Sequence, residues 1–214
     1  PTVANGGVSA DLMSITWNIT PGIKWSDGSA FTAHDVVFSG NYCMDPDGGC
    51  AQSNKLADVA NIEALDDLTV KVTFSVAKPF PYGPFVGAEQ PIIQKAQFAD
   101  CMGAKAPECT AENFGPIGTG PFVVTDFKAN DVITMEANPH YRDASKPAFA
   151  SVTFKGGGDA ASAARTVLET GEFDYAWNLQ IDPTVLSDME SAGLGTVVTA
   201  FGTSVERLHL NQTN

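Results

Sequence analysis

Residues 22–39 read Gly22-Ile23-Lys24-Trp25-Ser26-Asp27-Gly28-Ser29-Ala30-Phe31-Thr32-Ala33-His34-Asp35-Val36-Val37-Phe38-Ser39. Pro21-Gly22 marks a turn and Ser26-Asp27-Gly28 a second one, because glycine tolerates the left-handed backbone of tight turns. Thr32 is then a helix N-cap, with Asp35 three positions on. This is a capping box with Asp in place of Glu, in which the acid reaches back to the cap amide. Phe31 stands where a staple residue would sit, and Val36, Val37 and Phe38 give the helix its apolar side. Gly40 or the loop at Cys43 ends it.

Working outward, residues 12–19 (LMSITWNI) read as a strand with alternating faces. Ala60–Leu65 and Thr69–Phe74 form a hairpin across Asp66-Asp67, the second arm with a clear period of two. Lys78-Pro79-Phe80-Pro81-Tyr82-Gly83-Pro84-Phe85 carries three prolines and a glycine, which forbid regular structure and leave either a packed corner, the favoured reading, or a rigid connector with exposed aromatics. A short helix starts near Pro91 and runs to Phe98. Asn113–Gly120 is a crossing loop. Phe122–Phe127 and Val132–Ala137 form a second hairpin, ended by Asn138-Pro139-His140-Tyr141-Arg142. From residue 151 onward the pattern alternates strand and helix. Strands are expected at 151–154, 173–177, 195–201 and 206–210. Helices are expected after Asp159 and after Asp182-Pro183, where an N-cap precedes proline at the first helical position. Such alternation predicts an α/β chain with a mostly parallel or mixed sheet.

The 214 residues carry Lys+Arg 12 and Asp+Glu 25, a net charge of −13. A chain this acidic argues against nucleic acid and anionic membrane surfaces as partners. No apolar run is long enough to span a membrane. The first residues, PTVANGGVSADLM, lack the basic and apolar regions of a signal peptide, and the absence of Met points to a processed or excised chain.

Cys43 and Cys50 bracket one Pro/Gly loop, and Cys101 and Cys109 bracket another. Each loop can bring its two Cα atoms within bridging distance, so two local disulfides are expected, which places the protein outside the cytosol. Reduced buried thiols or a Cys₄ metal site are the alternatives, although zinc favours shorter knuckle spacings.

Patterns for a nucleophile elbow, a Walker loop or a zinc protease helix do not occur. Gly156-Gly157-Gly158-Asp159 follows a strand and opens a helix. The Asp at the cap would repel a phosphate, so it reads as a turn. Asp45-Pro46-Asp47-Gly48 has a faint calcium-loop look, but its later ligands are missing. His34 reads as a helix-surface residue and His140 as a loop anchor. His209 faces away from Leu208 and Leu210 on its strand.

The ordered set of segments resembles the family 5 extracellular solute-binding proteins, the peptide and nickel receptors of bacterial ABC importers. The resemblance rests on Ile15-Thr16-Trp17-Asn18-Ile19 through Gly22–Ser39 and on Asp66-Asp67-Leu68-Thr69-Val70-Lys71-Val72. It continues in Gly118-Thr119-Gly120-Pro121-Phe122, Asn138-Pro139-His140-Tyr141-Arg142 and Leu168-Glu169-Thr170-Gly171-Glu172-Phe173-Asp174. It implies a type II periplasmic-binding-protein fold: a central mixed sheet flanked by helices, plus a β-rich accessory subdomain. Family members are far longer, so it also implies a fragment. Residues 1–92 would be the accessory subdomain, with one helix and the Cys43/Cys50 loop, and 93–214 a partial lobe one.

The implied function is capture of a small solute, a peptide, in the periplasm and delivery to a membrane permease. No enzyme activity, cofactor or metal is expected, and the protein is expected to be a monomer. A secreted α/β hydrolase whose catalytic residues go unrecognised is the alternative reading. Ligands bind beyond the C-terminal ends of the sheet strands in such folds. That rule selects Trp177 as an apolar wall and Asn178 as a donor–acceptor amide, with Leu179 beside them. Phe201, Thr203, Ser204, His209 and Asn211 frame the second candidate edge.

Overall fold

Two antiparallel sheets of three strands each organise the first 156 residues. The computed structural model describes residues 1–87 and 90–200. Its contacts divide the chain into two units, Pro1–Gly156 and Gly157–Asn214. The boundary expected at 92/93 falls inside the first of these units.

The first sheet contains β1 (Ser14–Asn18), β2 (Val59–Asp66) and β3 (Thr69–Phe74), in the order β1-β3-β2. On β3 the alternation is clean: Val70, Val72 and Phe74 are buried, while Thr69, Lys71 and Thr73 are partly exposed. Side chains two apart share a face, so this strand supplies the floor of a core. Ile15 and Ile62 sit opposite Val72 on either side of it. Helix α1 (Ala33–Met44) covers that face with Ala33 and Val36. It runs through Gly40 rather than ending there. A Cβ at Gly40 would come 2.2 Å from Ile62 Cδ1, so glycine lets the helix lie close on β2.

The short helix foreseen from Pro91 begins only at Lys95, as α2 (Lys95–Phe98). Its missing turn is explained by hydrogen bonds to α1. Ile93 N–H donates to Ser39 Oγ at 2.9 Å, and Lys95 N–H donates to Asp35 Oδ1 at 3.0 Å. Amides held across the chain in this way are not free for a helix ladder. Helix α3 (Thr110–Phe114) then leads into the second sheet: β4 (Phe122–Lys128), β5 (Val132–Ala137) and β6 (Ser151–Lys155), in that order. Phe114 stacks on Phe127 at 4.5 Å between ring centroids.

Both cysteine pairs are disulfides, Cys43–Cys50 with Cα atoms 5.0 Å apart and Cys101–Cys109 with Cα atoms 5.9 Å apart. No free thiol remains to build a Cys₄ site.

The second unit contains α4 (Ala160–Leu168) and α5 (Pro183–Glu190). Their starts follow the sequence signals: Asp159 accepts from Ser162 N–H and Asp182 from Thr184 N–H, each at 2.8 Å. Ala164, Leu168 and Met189 are buried together, with Leu179, Ile181, Leu186 and Val197 packed on them.

The last third departs from the alternation read in the sequence. Residues 173–177 and 195–200 are irregular, and β6 pairs antiparallel with β5. A lone extended segment leaves its backbone groups unpaired, and neither segment finds a ladder partner among the described residues. All pairings among the described strands are therefore antiparallel, and parallel pairing is not formed among them. The strand expected at 206–210 and residue 201 lie outside the described residues. Among the described residues, no helix is long and apolar enough to cross a membrane.

Candidate ligand-binding site

The stretch around Trp25 is a structural junction. Trp25 is 1% exposed and Asp35 is 6% exposed. The Asp35 carboxylate accepts from Thr32 N–H at 2.9 Å and from Trp25 Nε1–H at 3.3 Å, besides the Lys95 amide. A buried carboxylate persists only when hydrogen bonds replace its water, and these donors do so. Asp27 accepts from Ser29 N–H, Ser29 Oγ–H and Gln94 Nε2–H. Those bonds, led by the Ser29 hydroxyl and then Gln94, hold the Asp27 carboxyl below its ordinary value.

Two further motifs of the first unit, Gly118–Phe122 and Asn138–Arg142, meet at the same place. Ser26 N–H donates to Gly118 O at 2.9 Å, and Asn138 Nδ2–H donates to Gly120 O at 2.8 Å. The His140 ring lies against Gly28, where a Cβ would stand 3.1 Å from Nε2. Gly28 has φ +88°, so it needs glycine for its backbone as well as for space. His140 thus anchors a loop, and His34 lies on the exposed helix surface 3.5 Å from Asp67. With its polar atoms committed to one another, this junction presents a scaffold rather than a ligand site.

Residues 173–182 are different. Trp177 is 78% exposed and Tyr175 is 76% exposed, yet Leu179 and Ile181 pack on the second unit's core. The reversal occurs at Asn178, whose φ is +56°. Asparagine is one of the few side chains that adopt the left-handed region readily. It turns the chain so that the aromatic rings before it face outward and the aliphatic side chains after it face the core. The Asn178 side-chain amide is exposed and has no hydrogen-bond partner among the described residues. An indole face, a phenol ring and an amide with a donor and an acceptor therefore project from a short segment anchored at one end.

Of the residues selected from sequence, Trp177 and Asn178 fall together on this outward segment. Leu179 is adjacent but half-buried in the core. Ser204, His209 and Asn211, with Phe201 and Thr203, lie outside the described residues. Tyr175 was not selected, although its spacing of two from Trp177 was a signal of a shared face.

Other chemistry is sparse among the described residues. Cys101, Cys109 and Glu112 are close enough to suggest a metal group, but both sulfurs are held in a disulfide and cannot act as thiolate ligands. A recess beside β3, lined by Phe74, Lys78, Phe80 and Pro84 among others, has a volume of about 100 Å³. Ligand pockets usually measure roughly 300–1,000 Å³, so it cannot enclose a peptide.

Comparison with known proteins bears on the family and the fold. The glutathione-binding protein GsiB of Pectobacterium atrosepticum is 29% identical over 175 residues, which are 82% of this chain and 32% of that protein. The ABC transporter substrate-binding protein CtaP of Listeria monocytogenes superposes with a TM-score of 0.72 at 27% identity, over 86% of this chain and 36% of that one. The oligopeptide-binding protein AppA of Bacillus subtilis, solved with a nonapeptide, superposes with a TM-score of 0.67 at 26% identity, over 78% and 32%. The chain thus spans about a third of the length of these relatives. The model of the bacterial extracellular solute-binding proteins, family 5, matches residues 1–214, and the chain belongs to that family, with its mixed α/β fold.

Proposed function

We propose that this chain works in the substrate-binding component of a bacterial ABC importer. It captures a small solute, a peptide, in the periplasm and hands it to a membrane permease, acting as a monomer by binding and release rather than by turnover. Trp177 and Asn178 contact the ligand. The observation that carries this reading is the outward Tyr175–Trp177–Asn178 segment in a chain of the solute-binding family. The indole offers a flat apolar wall, and the amide can pair with both N–H and C=O of an extended peptide backbone. The similarity to an oligopeptide-binding protein solved with a nonapeptide fits a peptide ligand. The net charge of −13 fits a partner that is not a nucleic acid.

Titration with di- to pentapeptides, followed by tryptophan fluorescence, tests this reading. Trp177→Ala removes a large contact that costs about 1.5–3 kcal/mol at binding hot spots, or roughly 10- to 150-fold in Kd. Asn178→Gly keeps the left-handed backbone and removes the amide, for a loss of about 2- to 10-fold. Failure of any peptide to change the fluorescence, or unchanged affinity in Trp177→Ala, overturns it.

A further inference from the structure

The two disulfide loops touch each other. Cys43 lies in the last turn of α1, and Asp45 follows as its C-cap. A Cβ at Gly103, inside the second loop, would sit 3.2 Å from Asp45 Oδ2. Gly103 has φ +57°, so its backbone is left-handed where it passes the carboxylate. Immediately before Cys43, the Tyr42 ring meets Phe98 edge-on at 6.1 Å. Phe98 is 3% exposed and its carbonyl accepts from the amide of Cys101, which is 2% exposed. Burial beside these rings pushes the Tyr42 phenol above its ordinary value. Each disulfide therefore ends in a buried cysteine, Cys43 or Cys101, and the two loops meet through the close packing of Asp45 on Gly103 and the aromatic contact of Tyr42 with Phe98.

We propose that the two disulfides form one redox-sensitive lock, in which opening either bond exposes the other to reduction. Opening Cys43–Cys50 releases the end of α1. Asp45 then leaves Gly103, Tyr42 leaves Phe98, and the cover over Cys101 is lost. Opening Cys101–Cys109 acts in reverse, because the segment carrying Gly103 is no longer held against Asp45. Reduction of each bond takes two electrons and two protons and yields two thiols. With dithiothreitol as reductant, that reagent closes to its cyclic disulfide. Exchange needs access of the attacking thiolate to sulfur, so the step that governs the rate is exposure of the buried partner.

The test uses the full chain and four variants. In Cys43→Ala/Cys50→Ala, the remaining disulfide is reduced by dithiothreitol about tenfold faster than in the parent, read by alkylation and mass spectrometry. Cys101→Ala/Cys109→Ala has the same effect on Cys43–Cys50. Asp45→Ala leaves both disulfides in place and removes the carboxylate packed on Gly103, so reduction of both accelerates by several-fold. Val72→Ala, in the distant sheet core, controls for general loss of stability: it accelerates neither bond beyond its effect on global unfolding. Parent-like reduction rates in the cysteine variants, or in Asp45→Ala if the cysteine variants do not fold, overturn the proposal. So does an acceleration no greater than that of a core variant matched in stability.

Discussion

Replacing Asp35 with alanine strips the acceptor from the Thr32 amide, the Trp25 indole and the Lys95 amide at once. A buried donor left unpaired costs about 1–3 kcal/mol. Trp25 is fully enclosed, so its indole N–H bears the whole penalty, whereas Thr32 and Lys95 lie near the surface and regain water. With about 1 kcal/mol more for each of the two bonds that water replaces, the expected loss is about 3–5 kcal/mol, a large share of the roughly 5–15 kcal/mol that holds a domain together. Asp35→Asn keeps one acceptor oxygen but turns an NH₂ toward a donor, for a loss of about 2–3 kcal/mol. Urea unfolding followed by tryptophan fluorescence measures both. With a slope near 2 kcal/mol per molar, the Asp35→Ala midpoint falls by roughly 2 M. A loss below about 1 kcal/mol in Asp35→Ala would refute the view that this carboxylate organises the junction.

Gly28→Ala forces an L side chain to φ +88° and against His140, for a loss of about 1–2 kcal/mol in thermal or urea unfolding. His140→Ala in the same background restores only the contact part of that loss; full recovery would contradict the backbone argument. Leu179→Ala lowers stability by about 1–3 kcal/mol, reduced from the usual range because the side chain is half-buried, whereas Trp177→Ala changes stability by less than about 0.5 kcal/mol. Equal effects of the two would contradict the turn at Asn178. Asp27 is held below its unfolded value of 3.8 by the Ser29 hydroxyl, Gln94 and the Ser29 amide. Its contribution is therefore complete above that value and fades as pH falls through the lower folded one. Asp27→Asn flattens this acid limb of the stability profile, and an unchanged limb would show that other carboxylates set it.

Local signals were legible in the residues. The capping pair Thr32 and Asp35, the Asp66-Asp67 hairpin and the Asp182-Pro183 helix start all act within a few positions, and the structure forms each of them. What needed the fold were the long-range partners. Ser39 with Ile93 and Asp35 with Lys95 lie more than fifty positions apart, and their bonds delay the helix that proline at 91 advertises. Phe173, Tyr175 and Trp177 have a strand's period of two, but period reports which faces differ, not whether a ladder partner exists. The same pattern here belongs to an irregular segment in which Tyr175 and Trp177 project outward and Phe173 is half-buried. Trp177 and Asn178 were reachable from sequence as candidates. The reversal at Asn178, which separates an outward Trp177 from an inward Leu179, was not, because it depends on one left-handed residue.

Solute capture is tested most directly by native mass spectrometry of the protein purified gently from its own cells. The account predicts a small added mass of peptide size, released on unfolding and absent from Trp177→Ala. A protein that carries no such mass, and takes up none when millimolar di- to pentapeptides are supplied, would contradict it.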